Sequence, residues 1–299
     1  MDVLIAGASG LIGKALMAAF QADGCSVRTL VRRDAQSESE LFWDPVKGTL
    51  DWPDGYSPNT VICLSGANVA GKRWSSSYKQ EILDSRVRSV SLLAKTIAAL
   101  PKPPSLFVTA SAVGIYGSSR GDELLTEESS KGADFLADVC QQWETAAQPA
   151  VDAGIRTVHL RFGIVLAKTD GALKKMLLPF RLGLGGPIGS GQQYMSWVTL
   201  DEAVNIARFV VQHDTIHGPV NAVAPEAVTN RTFTRSLGMA IHRPTVFPLP
   251  AVIVKAMMGE MGEALLLGST RAVPEKLLDA GYTFQSPALR EALSAVLSS

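Results

Sequence analysis

The first 22 residues constrain the fold more than any other part of the chain. An apolar run at 2–6 is followed by Gly-Ala-Ser-Gly-Leu-Ile-Gly at 7–13 and by an amphipathic stretch that ends at Ala22. This order predicts a β-strand, a tight turn and an α-helix. Gly7 suits the turn that leaves the strand, Gly10 lets backbone approach a pyrophosphate, and Gly13 lets the helix pack closely on the sheet.

An anion is expected at the start of this helix, because unpaired N–H groups and the helix dipole favour negative charge there. The alternative is a glycine-rich turn that binds nothing. The strand before the turn and the helix after it favour a dinucleotide site. The predicted cofactor contacts in this turn are Gly7, Ala8, Ser9, Gly10, Leu11 and Ile12.

A second strand is predicted from Ser26 to Val31, and Arg32 and Arg33 follow it. An NAD-binding fold carries an Asp or Glu here, which binds the ribose 2′-OH. A carboxylate would repel a 2′-phosphate, whereas a guanidinium binds it with charge-assisted hydrogen bonds. The two arginines therefore predict NADP(H) as the cofactor. Two solvated charges at the end of a strand are the alternative.

Strands and helices alternate through the first half of the chain. Further strands are predicted at 60–64, 106–110 and 155–160, and helices at 78–100 and 135–150. This alternation predicts an α/β protein with a doubly wound parallel sheet of Rossmann type, formed by residues 1–165 and completed by a later segment near 219–223. Residues 166–299 break the alternation and are expected to form a smaller C-terminal substrate lobe.

The C-terminal half contains two local patterns of its own. The loop from Gly183 to Gly191 is rich in glycine, but no helix follows it, so a second phosphate site is not predicted. It is either a mobile loop over an active cleft or a tight structural connection. Thr199 and Glu202 form a capping-box pattern, which predicts a helix from 200 to 212.

Composition excludes several classes of function. The 28 basic and 28 acidic residues give a formal net charge of zero, so we expect no bulk attraction to nucleic acid or to an anionic membrane. The three cysteines and four histidines show no metal-ligand spacing, so no metal site is predicted. Because neither an export signal nor a bilayer-spanning stretch is present, we expect a cytoplasmic protein whose partner is a small-molecule substrate.

Four segments carry a resemblance to a known family. They are the glycine turn at 7–13, Ser-Ala-Val-Gly-Ile-Tyr-Gly at 111–117, Arg-Phe-Gly-Ile-Val-Leu at 161–166, and Pro-Phe-Arg-Leu-Gly-Leu-Gly-Gly at 179–186. Together they resemble an atypical branch of the extended short-chain dehydrogenase/reductases, the epimerase-family group. The resemblance spans the whole chain, and residues 248–297 look like the C-terminal domain of unknown function found in that branch.

The catalytic pair of that family is missing from this chain. Extended members use Tyr-x-x-x-Lys, in which the lysine cation lowers the pKa of the tyrosine so that its hydroxyl can exchange a proton with substrate. None of the five tyrosines has a lysine four residues later. The resemblance places Leu136 and Cys140 at the two positions. Cys140 is expected to be a small buried side chain rather than a nucleophile.

The resemblance implies further contacts with the cofactor outside the glycine turn. They are Leu64, Ser65, Gly66, Glu81, Arg86 and Val165. By sequence alone, Glu81 and Arg86 are equally consistent with solvated helix charges. Substrate contacts are predicted for Arg73, Trp74, Gln193 and Trp197, because exposed aromatic residues beside loops often line clefts; core positions are the alternative.

Tyr116 is the remaining candidate for a catalytic proton donor. It follows a predicted strand at the carboxyl end, where open α/β sheets bind ligands. The alternative is a ring that packs beneath the cleft with its hydroxyl in solvent. The acidic residues that come next are expected to lie in a solvated loop: Asp122, Glu123, Glu127 and Glu128.

Two functions follow from these patterns. The first is an NADP(H)-dependent oxidoreductase or epimerase that acts on a small polar or nucleotide-linked substrate with a non-standard proton donor. The second is a non-catalytic protein that senses NADP(H) and acts through a partner. The intact glycine turn favours both, whereas the missing Tyr-x-x-x-Lys pair favours the second.

Overall fold

The apolar run at the start of the chain forms a central strand of an eight-stranded sheet. A computed structural model describes residues 1–298. The strands are β1 (Asp2–Ala6), β2 (Ser26–Val31), β3 (Glu40–Asp44), β4 (Thr49–Leu50), β5 (Thr60–Cys63), β6 (Leu106–Ala112), β7 (Ser119–Leu125), β8 (Arg156–Phe162), β9 (Ile164–Leu166), β10 (Tyr194–Met195), β11 (Trp197–Thr199), β12 (Gly218–Ala222), β13 (Val228–Thr229) and β14 (Ser269–Ala272).

Helices connect the strands. They are α1 (Leu11–Ala22), α2 (Ser76–Ala98), α3 (Phe135–Thr145), α4 (Gln148–Asp152), α5 (Gly171–Arg181), α6 (Leu200–Gln212), α7 (Asn230–Ala240), α8 (Ala251–Met258), α9 (Glu260–Gly262), α10 (Glu275–Asp279) and α11 (Leu289–Ser298). The predicted helix at 135–150 is two helices, α3 and α4, and Pro149 lies in the first turn of α4, where its missing N–H costs nothing.

The order of strands in the large sheet is β12-β8-β6-β5-β1-β2-β3-β4. Strand β1 pairs in parallel with both β2 and β5, and the short β4 is antiparallel to β3. The chain therefore builds outward from β1 through β2 and β3, and then crosses to the other side of β1 at β5. This reversal is the topological switch point of a doubly wound sheet, where the carboxyl ends of β1 and β5 form the usual ligand crevice. The predicted Rossmann-type α/β fold is confirmed.

The periodicity of α1 explains why it packs on this sheet. Its buried residues are Gly13, Leu16 and Phe20, which are three and four positions apart and therefore share one helical face. The strand β1 that lies beneath them has its four residues from Val3 to Ala6 fully buried. Burying this apolar face is the main stabilisation of the strand, turn and helix that open the chain.

The described residues form two units. The first contains Met1–Ser111, Val139–Leu160 and Val204–Val220, and the second contains Ala112–Asp138, Arg161–Ala203 and 221–298. The predicted boundary near residue 165 differs from this division, since 112–138 belong to the second unit and 204–220 to the first. The late strand β12, in the region where a completing segment was expected, lies at one edge of the large sheet.

The second unit has three two-stranded sheets and its own apolar core. Side chains of α5, α7 and α11 pack around Trp197 and Phe233, which are both about 1% exposed. Glu202 supports this unit from α6. Its backbone N–H donates to the Thr199 hydroxyl at 3.1 Å, as the capping-box pattern predicts, but its carboxylate accepts hydrogen bonds from Tyr282, Gln285 and Ser286 instead of the Thr199 N–H.

Among residues 1–298, no helix has the length and apolar character needed to cross a bilayer.

Candidate functional site

The glycine turn at the end of β1 is built from contacts that only glycine permits. Gly7 has φ +84°, and a Cβ on it would lie 2.9 Å from the carbonyl carbon of Leu64, which follows β5. A Cβ on Gly13 would lie 2.2 Å from the Gly7 carbonyl oxygen. These two glycines therefore set how closely β1, β5 and the start of α1 approach each other.

The N-terminus of α1 is open. Gly10 is its N-cap and provides no side-chain cap, and no acidic residue lies in the first turn. Gly10 is exposed, and a Cβ there would meet only the Gly7 oxygen, at 3.4 Å. Free N–H groups, a positive helix dipole and an accessible backbone make this position suitable for a pyrophosphate.

The two arginines after β2 have different surroundings. Arg33 donates to both carboxylate oxygens of Glu40, at 2.6 and 2.8 Å, and this hydrogen bonding holds the pKa of Glu40 below its ordinary value. Arg32 is exposed and has no ion pair or side-chain hydrogen bond among the described residues. The sequence suggested that both guanidinium groups are available to a phosphate. Arg32 is the one without a carboxylate partner, whereas the charge of Arg33 is neutralised by Glu40.

Arg86 lies beside the loop that follows β5. Its Nη1 donates to the Ile82 carbonyl at 2.9 Å, and its guanidinium carbon lies 4.9 Å from the centre of the Trp143 ring. A Cβ on Gly66 would lie 3.0 Å from the same carbon, so the glycine allows Arg86 to reach the loop. Burial lowers the pKa of Arg86. Glu81 points elsewhere: it is exposed and lies 3.8 Å from Lys72.

The positions that would hold the missing catalytic pair carry no replacement acid. Cys140 lies in α3 and is 4% exposed, as expected for a small buried side chain. Ser111 ends the first unit and is 2% exposed; its hydroxyl donates to Glu144 at 2.7 Å. No group of three metal-ligating side chains occurs within residues 1–298.

Tyr116 has no exposed surface in the second unit. Its hydroxyl donates to Asn221 Oδ1 at 2.7 Å and accepts from Arg161 Nη1 at 3.0 Å. Burial raises its pKa to about 12, although Arg161 acts in the opposite direction. The ring packs internally, as the structural alternative proposed, but the hydroxyl is not in solvent. The Tyr116 hydroxyl therefore already has two hydrogen-bond partners within the second unit.

Glu127 corrects the expectation of a solvated acidic loop. Asp122, Glu123 and Glu128 are exposed, but Glu127 is only 5% exposed. Its Oε1 accepts the Asn221 backbone N–H at 2.9 Å, whereas its Oε2 is buried without a hydrogen-bond partner among the described residues. Burial raises the pKa of this carboxyl. The burial of Glu127 and of its neighbour Arg161 has no clear signal in the sequence, because Arg161 lies in a strand that also contains Arg156, Thr157 and His159.

Two of the predicted substrate contacts lie in the core of the second unit. Gln193 is 8% exposed and donates to the Ile188 and Leu266 carbonyls. Trp197 is 1% exposed and donates from its indole N–H to the Glu226 backbone carbonyl. The expectation of exposed cleft residues is wrong at these two positions, and the core alternative holds, because both side chains donate to backbone carbonyls within the unit.

The other predicted contacts are more accessible. Arg73 is exposed, and Trp74 is half-buried with its indole N–H donating to Val69. Val165 is half-buried in β9, where it pairs with Val198.

The loop from Gly183 to Gly191 is a tight connection rather than a free loop. Its backbone exchanges hydrogen bonds with the segment 247–249, including Phe247 N–H to Gly185 and Leu249 N–H to Pro187. A Cβ on Gly186 would lie 1.9 Å from the Phe247 oxygen, so this glycine permits the close approach of two backbones. The contacts support the structural alternative over a mobile lid.

Known proteins resemble this chain over its whole length. Residues 3–223 match the NAD dependent epimerase/dehydratase family, and residues 249–296 match a domain of unknown function, DUF1731. The epimerase family protein Mb2239 of Mycobacterium bovis is 41% identical over 97% of this chain and 96% of its own. Human epimerase family protein SDR39U1 is 34% identical, with both chains fully covered.

A crystal structure of human SDR39U1 with NADPH superposes with a TM-score of 0.92 at 33% identity, covering 100% of this chain and 99% of the human one. The family match takes in the glycine turn, both arginines after β2 and the loop after β5. The chain therefore belongs to the NAD-dependent epimerase/dehydratase family.

Proposed function

We propose that this protein binds NADP(H) at the switch point of its large sheet. The observation that carries the proposal is the open N-terminus of α1 beside the unpaired Arg32. The pyrophosphate would bind the N–H groups that follow Gly10, and Arg32 would bind the 2′-phosphate. The human relative that was crystallised with NADPH supports this choice of cofactor.

The residues of the first unit fit such a group. The first turn of α1 has no carboxylate that would repel a pyrophosphate. Ala8, Ser9, Leu11 and Ile12 continue the backbone around the turn, and Leu64, Ser65 and Gly66 follow β5 across the switch point. When bound, NADP(H) supplies hydride transfer. The chain supplies the cradle for the phosphates and the charge that discriminates NADP(H) from NAD(H).

For the reaction, we infer an oxidoreductase or epimerase that acts on a small polar or nucleotide-linked substrate. Its proton donor would be neither a Tyr-Lys pair nor Tyr116, whose hydroxyl is engaged with Arg161 and Asn221. Arg73 and Trp74 remain proposed substrate contacts. Cys25, Cys63 and Cys140 form no disulfide within residues 1–298, which supports the predicted cytoplasmic location.

The open phosphate cradle and the missing catalytic pair also favour a second function. A protein that senses NADP(H) needs the phosphate cradle and no acid, and the positions of the family's catalytic pair hold Leu136 and Cys140. The enzyme predicts oxidation of NADPH with a member of a panel of carbonyl compounds and sugar nucleotides. The sensor predicts tight NADPH binding and no oxidation with any of them.

Cofactor binding is tested by titrating the protein with NADPH and NADH. A hydrogen bond to a charged group contributes about 1.5–3 kcal/mol, so Arg32→Gln should reduce the preference for NADPH roughly 10- to 150-fold and leave NADH affinity unchanged. Arg88→Gln is the matched control, because Arg88 is also an exposed arginine and pairs with Asp84 on α2. Equal loss of both cofactors in Arg32→Gln, or no NADPH binding by the wild type, would refute the proposal.

A further inference from the structure

The second unit exposes several large apolar side chains. We call this set the docking face. It consists of Leu178, Leu182, Leu184, Val246, Phe247, Leu249, Val252, Ile253 and Met257, with exposed fractions from 37% to 76%. Soluble proteins rarely leave large contiguous apolar patches in water, and such patches usually bind something.

Backbone contacts join the segments that carry the docking face. The loop after α5, which carries Leu182 and Leu184, is hydrogen-bonded to the segment that carries Phe247 and Leu249. Arg243 adds a bond from its Nε to the Arg181 carbonyl. Helix α8 starts directly after this segment, and of its eight residues only Val254 is buried.

Basic residues predominate in the two segments that carry the docking face. Residues 171–200 and 227–259 contain seven basic residues and no acidic residue, although the whole chain has zero net charge. The basic residues are Lys174, Lys175, Arg181, Arg231, Arg235, Arg243 and Lys255. Acidic residues lie at the borders of these segments: Asp170 precedes the first, Glu260 follows the second, and Glu263 lies 2.9 Å from Lys255.

Three arginines of the second unit converge on a surface cavity of about 520 Å³ between α7, the segment that follows it and α11. Arg235, Arg243 and Arg290 line this cavity together with His242. Within residues 1–298, Arg235 and Arg290 have no carboxylate partner, and Arg243 donates only to backbone carbonyls. The cavity therefore presents unneutralised guanidinium groups, which suit a phosphate group.

The charge pattern decides between possible occupants. A second copy of the chain in a two-fold contact would bring the same positive surfaces together, and like charges oppose such an interface. Leu, Val, Ile, Phe and Met side chains beside Lys and Arg are the composition of surfaces that lie on anionic bilayers. We propose that the docking face binds the surface of a membrane containing anionic phospholipids. The apolar side chains would enter the headgroup boundary, and the arginines of the cavity would bind lipid phosphates.

This proposal is independent of NADP(H) binding, and vesicles test it directly. The full-length protein should co-sediment with vesicles of phosphatidylglycerol and phosphatidylcholine, and not with vesicles of phosphatidylcholine alone. At ~0.8 kcal/mol per buried methylene, Val252→Ser should weaken partitioning about ten-fold. Val46→Ser is the matched control, since Val46 is 75% exposed and Val252 is 76% exposed, and it should not change binding.

The charges are tested separately. Arg290→Gln should weaken partitioning about five-fold, which corresponds to the ~1 kcal/mol that a basic residue contributes near an anionic surface. Lys102→Gln, an exposed charge of the first unit, should have no effect. All substituted side chains are exposed, so unchanged melting temperatures are expected and would confirm that folding is intact.

Four outcomes would overturn the proposal. They are equal sedimentation with both kinds of vesicle, equal losses in Val252→Ser and Val46→Ser, binding of inorganic phosphate at the cavity without any vesicle binding, and a dimer in sedimentation velocity that Val252→Ser dissociates. The last result would assign the docking face to a second copy of the chain.

Discussion

Tyr116→Phe separates a structural hydroxyl from a catalytic one. The substitution keeps the buried ring and removes one oxygen, which is the hydrogen-bond donor to Asn221 Oδ1 and an acceptor for Arg161. No other described group donates to that Asn221 oxygen. The remaining hydrogen bonds of Asn221 are made by its backbone N–H, to Glu127, and by its amide nitrogen, to Leu125 and Val273. The variant therefore leaves a buried acceptor unsatisfied.

The size of the effect follows from these two bonds. A buried unsatisfied acceptor costs about 1–3 kcal/mol, and the lost bond to the Arg161 cation adds to it. Arg161 keeps its bond to the Glu127 carbonyl at 3.2 Å, which reduces the second contribution. We expect the free energy of unfolding to fall by about 2–4 kcal/mol. For a unit of roughly 150 residues, each kcal/mol lowers Tm by about 2–4 °C, so the loss is readily measured by calorimetry.

Tyr56→Phe is the matched control, because the Tyr56 hydroxyl is buried without a hydrogen-bond partner in the described structure. Burial raises the pKa of both phenols to about 12, so both are neutral near pH 7. Removing the Tyr56 hydroxyl relieves an unmet desolvation cost and should leave stability unchanged or slightly higher. Equal unfolding free energies for the two variants would refute the reasoning. A Tyr116→Phe protein of normal stability that has lost turnover would show that Tyr116 is a proton donor after all.

Two further predictions concern the glycine turn and the buried carboxyl. Gly13→Ala places a Cβ 2.2 Å from the Gly7 oxygen, so this variant should have a lower Tm and should not bind NADPH. Gly10→Ala, whose nearest contact is at 3.4 Å, should keep the wild-type Tm. Equal Tm values for the two variants would contradict this prediction. Burial raises the pKa of Glu127 in the folded state. Below the ordinary carboxyl pKa of about 4.3 the side chain is protonated in both states, and its ionisation costs the fold nothing. Above the raised pKa the folded state loses the full free energy needed to ionise a buried carboxyl. The free energy of unfolding of Glu127→Gln should therefore increase relative to that of the wild type as the pH rises through this range. A difference between the two proteins that does not change with pH would refute a raised pKa for Glu127.

Local patterns were sufficient to predict several helices and strands. Strand β2 occupies 26–31 and helix α6 occupies 200–212, as predicted, because their apolar spacing and capping residues act within a few positions. Strand β3 was missed. It has five residues and depends on pairing with β2, which the sequence around it does not encode. The same pairing brings Glu40 to Arg33, so the neutralised charge could not have been inferred either.

The same distinction between local patterns and tertiary contacts applies to the candidate site. The glycine turn is a local device, and its residues could be assigned from the order of strand, glycines and helix. Glu127 is buried because Asn221, distant in the chain, presents a backbone N–H to it. Gln193 is buried because its amide satisfies the Leu266 carbonyl. Polar residues that serve remote backbone groups have the same sequence signature as solvated ones, so only the tertiary structure distinguishes them.

The zero net charge of the chain constrains function only when the positions of the individual charges are considered. A sum over the chain governs bulk attraction, but screening limits each charge to roughly 8 Å at physiological ionic strength, so a surface responds only to the charges it carries. Seven basic residues and no acid in 171–200 and 227–259 leave the acidic excess in the rest of the chain. The balance that predicted no membrane partner therefore excludes attraction of the molecule as a whole and does not exclude attraction of one face. If the docking face binds anionic vesicles, partitioning should fall steeply with added salt while NADH affinity at the glycine turn does not. A salt response shared equally by both would place the relevant charges at the cofactor site instead.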